Sequence, residues 1–287
     1  MAASPLELVL ARDRILVVAS VVGLCLLAWL FLVHLTLQME TMDGIAARMM
    51  GMQTDDSLSA FIATTMGPGA ATLTDASVNF TLVTLMWAVM MIGMMLPSAA
   101  PTILLFATLE RKSRQHGISG RTAAFVGGYL AIWSVYSVAA AAVQTLLSHT
   151  HLLSMQMAAT STFLAGLVFI GAGLYELTPL KDRCLTQCRS PIEWLPRHMR
   201  PGRLGALHMG MEHGIYCLGC CWVLMLLLFV GGVMNLIWVA ALALLVLAQK
   251  LVPGTLVLTR ITAAVLVASG IVLLVHPLLP AHLLPWQ

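Results

Sequence analysis

Seven apolar runs with few or no charges, each long enough or nearly so for the ~20 residues that cross a bilayer as a helix, dominate this 287-residue chain and leave it few ways to fold. They are Ile15 to Leu37, Val78 to Leu109, Thr122 to Leu147, Ala158 to Leu177, Leu204 to Val230, Val233 to Ala248 and Ile261 to Leu279. Only 9% of the residues are charged and 60% are apolar, whereas a soluble domain carries about 25% charged residues. The expected fold is all-α, a polytopic transmembrane helical bundle of seven spans with residues 1–287 forming a single integral membrane domain. The first run exceeds the roughly 7 to 15 apolar residues of a signal peptide and no small-residue cleavage site closes it, so it is expected to stay as an anchor.

Basic residues gather on the cytoplasmic side of membrane proteins. Placing the N-terminus inside puts every Lys and Arg there except Arg48. The C-terminus then faces the periplasm, and the chain is expected in a bacterial inner membrane as a multi-pass protein. Residues 38–77 become an outer Met-rich segment with Glu40 and Asp43, and residues 178–203 a basic cytoplasmic loop. Gly231 and Gly232 must reverse the chain between the fifth and sixth runs. Pro97 and Pro101 each remove a backbone donor and predict a kink or break in the second, and broken helices inside membranes commonly line a site. The bilayer is the first partner implied; a net charge of +3 on so apolar a chain leaves no nucleic-acid surface.

Six Cys, nineteen Met and nine His are the unusual part of the composition, and they supply soft sulfur and borderline nitrogen donors. The richest stretch is His208-Met-Gly-Met-Glu-His-Gly-Ile-Tyr-Cys-Leu-Gly-Cys-Cys-Trp222 in the fifth span. At about 100° per residue, Met209, His213, Cys217 and Cys220 fall within an arc of roughly 80°, with Cys221 at its margin. His213, Cys217 and Cys220 rise over only about 10 Å, so two or three of them share reach of one ion, and Met209 lies a turn below as an approach position. An imidazole and a carboxylate are expensive inside a bilayer, which favours a functional stripe over simple packing. In the second span Met86, Met90 and Met94 form one ridge and Met91 and Met95 another. Met90 and Met94 reach the depth of Cys217 and Cys220, and small Gly93, Gly210, Gly214 and Gly219 favour close approach of the second and fifth spans. A packed core explains the methionines equally well. Together the metal-site residues read from the sequence are His213, Cys217, Cys220, Cys221, Met209, Met90 and Met94, a donor set that selects copper as Cu(I) over harder ions.

Weaker groups flank this one. Met39, Met42, Met49, Met50 and Met52 fit an external thioether site or an amphipathic interfacial helix. His149 and His151 with Met155 and Met157 form another pair, and Cys184 and Cys188, four apart, fit one metal, one disulfide or inert thiols. Cys25 alone reads as packing.

The segments Met91-Ile-Gly-Met-Met-Leu-Pro-Ser-Ala-Ala-Pro101, Tyr175-Glu-Leu-Thr-Pro-Leu-Lys-Asp-Arg-Cys-Leu-Thr-Gln-Cys-Arg-Ser-Pro191, Met211-Glu-His-Gly-Ile-Tyr-Cys-Leu-Gly-Cys-Cys-Trp222 and Gly232-Val-Met-Asn235 resemble the bacterial predicted metal-binding integral membrane proteins, domain of unknown function 2182. The resemblance runs from about Thr81 to Pro253 and implies metal binding, copper above all, without a mechanism. One position departs from that pattern: Gln249 precedes Lys250 where the family often carries an acid.

The reading that follows is an inner-membrane copper-handling protein, a metallochaperone or transporter and not an enzyme, with a Cys/His/Met site between the second and fifth spans and a copper-delivering or copper-accepting protein as partner. The chain carries no nucleotide-binding loop to drive transport. Two alternatives stand beside it. One is a membrane thiol-disulfide oxidoreductase using Cys217 and Cys220, which needs a thiolate-stabilising setting and access to a partner thiol. The other is a non-catalytic assembly subunit of a metalloenzyme.

Overall fold

The computed structural model describes residues 17–37, 76–112, 118–149, 161–252 and 255–275, and among them no strand occurs. The helices are α1 (Val17–Leu37), α2 (Ala76–Lys112), α3 (Ile118–His149), α4 (Thr162–Glu176), α5 (Pro179–Arg189), α6 (Pro191–His198), α7 (Gly202–Leu226), α8 (Leu236–Leu251) and α9 (Thr255–Val275). Among the described residues five stretches are long and apolar enough to cross a membrane, six when the bent pair α4 and α5 is taken as one span, and α8 is a shorter apolar helix. Large apolar side chains such as Val135, Leu146, Ile237, Leu244 and Val272 face outward while Glu110, Glu176, Lys181, Gln249 and Lys250 are buried. This distribution is compatible with a bilayer around the bundle.

The prolines of α2 do not interrupt it: the helix runs through Pro97 and Pro101 unbroken. Neighbouring groups hold the turn that carries Pro97, with the Ser98 and Tyr129 hydroxyls both donating to the Met95 carbonyl at 2.8 and 3.0 Å. The break falls instead at Leu177 and Thr178, where α4 and α5 diverge by 64°. Thr178 is an extended N-cap whose hydroxyl accepts from the Lys181 amide at 3.3 Å, and Pro179 occupies the first helical position. A capping hydroxyl followed by a proline starts a new helix and forbids continuing the old one. The stretch 178–203, expected as a loop, is therefore largely helical, and Lys181, Leu185, Cys188, Trp194 and Leu195 are buried in it. The reversal at Gly231 and Gly232 is present. Gly232 sits at φ +90, a conformation only glycine adopts without strain, and Asn235 caps α8 by accepting from the Trp238 amide at 3.1 Å.

Two glycine seams fix the bundle. In the first, Gly128 of α3 lies against the Leu207 carbonyl and Gly210 of α7 against the Phe125 carbonyl, with Gly214 beside Ile132. In the second, Gly166 and Gly173 of α4 meet Gly270, Val267 and Ala263 of α9. Small residues let backbones approach this closely where no side chain intervenes. The expected partner of α7 through its glycines was α2; the structure gives α3 and, through Gly219, α5. Gly93 of α2 faces Ala28 and Trp29 of α1 instead.

Buried charges tie helix ends together. Arg121 pairs with Glu110 at 2.8 Å and donates to the Arg200 carbonyl at 2.7 Å, joining α2, α3 and the entry to α7. Glu176 and Lys181 form an ion pair across the α4–α5 break, and Gln249 of α8 bridges it, accepting from Lys181 at 2.8 Å and donating to Glu176 at 2.9 Å.

Candidate metal centre

Helix α7 presents its polar stripe inward because its opposite face is apolar and exposed, at Leu204, Ile215 and Trp222. The seven residues singled out from the sequence are all buried. Cys217, Cys220 and Cys221 form the centre. The Cys220 and Cys221 thiols donate to the Cys217 carbonyl at 3.1 and 3.0 Å, the local back-bond that a polar side chain makes inside a helix. Cys217 Sγ stands 3.1 Å from the Tyr129 hydroxyl and accepts from Lys250 Nζ at 2.9 Å. Lys250 Nζ also donates to Ser98 Oγ at 2.9 Å.

His213 lies one turn before Cys217. Its ring sits among Phe125, Tyr129 and Trp194 at centroid distances of 6.2, 5.9 and 5.6 Å, and its Nδ1 is buried without a hydrogen-bond partner. A buried polar nitrogen left unpaired costs about 1–3 kcal/mol, so the unpaired Nδ1 of His213, one helical turn before Cys217, fits a neutral donor to an ion at the thiols.

The methionine beside the thiols is Met95, whose Sδ lies 3.9 Å from Cys221 Sγ. Met90 and Met94 are packed in the same core, and Met209 lies two turns before Cys217 on α7. Helices α2 and α7 thus meet through side chains around Met95, with α3 wedged between their backbones.

Residues outside the sequence-based set complete the surroundings. The bend at Thr178 lays α5 along α7, so that the buried Cys188 faces the electrostatic surroundings of Cys217 and Cys220. Cys184, one turn earlier, rests on Gly219, where a methyl group would come within 2.7 Å of its Sγ. Tyr175 steadies this contact by donating to the Gly219 carbonyl and meeting Trp222 edge-on at 5.6 Å. The spacing of Cys184 and Cys188 was visible in the sequence, but nothing there said that their helix folds back on α7. Tyr129 and Ser98 carried no signal of their own, and Lys250 stood out only as the residue that follows Gln249.

The site thus gathers thiols from α5 and α7, a thioether from α2, an imidazole from α7 and a lysine from α8. Among the described residues no three His, Cys, Asp or Glu donors already converge with the geometry of a bound metal. Thiol, thioether and imidazole together nonetheless fit a soft monovalent ion better than a hard one, and the back-bonded thiols need only χ1 rotations to turn toward a common point. The methionines of the outer segment, Met39 to Met52, and His151, Met155 and Met157 lie outside the described residues. Cys25 lies on α1, away from the thiol group on α5 and α7.

No curated protein and no solved structure matches the chain. The PpoB2 family, described as a copper chaperone, matches residues 84–273, a range that contains α3 to α8 and every side chain of the site. This agrees with the metal handling implied by the sequence resemblance and names the metal. Since the match covers more than half of the sequence, the chain belongs to the PpoB2 copper chaperone family.

Proposed function

We propose that the chain is a bacterial inner-membrane Cu(I) carrier that holds the ion at the α5–α7 thiol group and passes it to a protein acceptor. The observation that supports this most is the burial of Cys188 on α5 together with Cys217, Cys220 and Cys221 on α7, the two helices being in contact where Cys184 rests on Gly219. Three thiols from two elements that are not rigidly joined allow two-coordinate and three-coordinate holding to interchange. That interchange is what a chaperone needs, because Cu(I) moves between proteins by replacing one thiolate at a time and charge is conserved at each exchange. His213 and Met95 are the neutral donors beside the thiols. Met209, Met90 and Met94 extend the same sulfur-rich core along α7 and α2. The protein acts as a carrier and not as a catalyst, with the N-terminus cytoplasmic and the C-terminus periplasmic.

The test is Cu(I) competition against a chromophoric chelator, using the full chain purified in detergent under reducing conditions. The parent chain binds about one ion, as a soft-donor set of this size allows. Cys217→Ser with Cys220→Ser abolishes binding without loss of monodispersity, His213→Ala weakens it, and Cys25→Ser leaves it unchanged. Full retention in the double Ser variant refutes the site. A reversible Cys217–Cys220 disulfide with no copper bound refutes the function in favour of thiol-disulfide exchange.

A further inference from the structure

Among the described residues Lys250 is a buried cation with no carboxylate partner. Among the described residues the buried carboxylates are taken: Glu110 pairs with Arg121, and Glu176 pairs with Lys181 under the bridge of Gln249. Lys250 is one residue beyond Gln249, yet its ammonium turns away from that pair and donates to Cys217 Sγ and Ser98 Oγ, each at 2.9 Å. Its side chain is 6% exposed by residue. An isolated ammonium in such a setting is costly. The anionic partner within reach is the thiol group.

This arrangement fixes the charge the centre accepts. In the two-coordinate state two cysteine thiolates carry two negative charges while the other thiols keep their protons, and a low-dielectric interior favours a neutral total. With Lys250 supplying one positive charge, the remaining balance is met by a monovalent ion. Without Lys250 the same two thiolates are balanced by a divalent one. Softness of the sulfur donors does not make this distinction, because Cd(II) is as soft a partner for thiolate as Ag(I) or Cu(I).

We infer that Lys250 is the specificity-determining residue of the centre, a fixed charge that admits monovalent soft ions and rejects divalent ones. The inference rests on the copper-carrier reading and adds to it the rule by which Cu(I) is chosen over Zn(II). Each thiol that is protonated before the ion arrives gives its proton to water as its S–metal bond forms, so the loaded centre holds two thiolates, one ammonium and one monovalent cation. Lys250 acts through its charge beside Cys217 Sγ and is not itself a ligand.

The experiment measures Ag(I) and Cd(II) binding to the full chain in detergent, for the parent, Lys250→Met, Lys250→Arg and Ser98→Asp. Ag(I) and Cd(II) share softness and differ in charge, so the ratio of their affinities reads the charge of the site. Removing one unit charge about 4 Å from the metal, in an effective dielectric near 20, shifts that ratio by about a thousandfold toward Cd(II) in Lys250→Met. Lys250→Arg keeps the parent ratio. Ser98→Asp neutralises the ammonium from its other side with Lys250 in place, and it moves the ratio in the same direction as Lys250→Met. A ratio unchanged in both Lys250→Met and Ser98→Asp, in chains that still bind Ag(I), overturns the inference and leaves the copper reading standing. A parent chain that binds neither ion overturns both.

Discussion

The ion pair across the α4–α5 break offers a quantitative test of how α5 is held against the thiols. Lys181→Met removes the cation and leaves the Glu176 carboxylate buried with the Gln249 amide as its remaining described partner. An ion pair at about 4 Å in an effective dielectric near 20 attracts by about 4 kcal/mol, and breaking a buried pair by deleting one member costs about 3–5 kcal/mol. The surviving Gln249 bond to a charged group offsets part of this, at about 1.5–3 kcal/mol. The expected loss is therefore at the low end, about 3 kcal/mol. Replacing all three together, Glu176→Leu, Lys181→Met and Gln249→Leu, removes the stranded charge along with the pair, and most of the loss returns. Stability is read by denaturant titration in detergent micelles, and alkylation of Cys184 and Cys188 reports the release of α5. Lys181→Met should speed that alkylation well before global unfolding. A Lys181→Met chain as stable and as slowly alkylated as the parent, or a triple variant no better than the single, would refute the view that this pair holds α5 in place.

Two further outcomes are expected. Reporter fusions placed after Leu147 and after Gln287 both show a periplasmic location, as the segregation of basic residues requires; a cytoplasmic signal from the second would mean that α7 and α8 do not cross separately. Gly210→Val forces a side chain onto the Phe125 carbonyl and costs about 1–3 kcal/mol or more by overpacking, whereas Gly127→Val, where a Cβ meets nothing within 4 Å, has little effect on thermal stability. Equal stability of the two valine variants would count against the α3–α7 seam.

The longer helices were legible because their signal is additive: long apolar runs bounded by charge or by Gly and Pro located α1 to α4 and α7 to α9, though not the short α5 and α6, and the shared face of His213, Cys217 and Cys220 follows from helical spacing alone. The neighbours of that face were not legible. Whether Pro97 or Thr178-Pro179 breaks its helix depends on what lies beside it, since hydroxyls hold the turn at Pro97 and a capping hydroxyl starts a new helix at Pro179. Methionine spacing gave two ridges on α2 but not which one faces the cysteines, because that is set by the rotation of α2 about its axis. Lys250 was hidden for a similar reason. A lysine ending an apolar helix is ordinarily a headgroup anchor, and only tertiary packing turns its stem inward to Cys217.

The contact of Gly128 and Gly210 with each other's helix backbones has a mechanical meaning. Two helices joined main chain to main chain can neither roll nor slide past one another without collision, so Tyr129, Cys217, Cys220 and Cys221 travel as one rigid jaw. Cys184 and Cys188 ride on an 11-residue helix joined to α4 by a sharp bend, and Lys250 reaches in on a flexible four-carbon stem. Any relative motion at the thiol group therefore falls to α5 and the Lys250 stem, and the α3–α7 pair keeps its geometry.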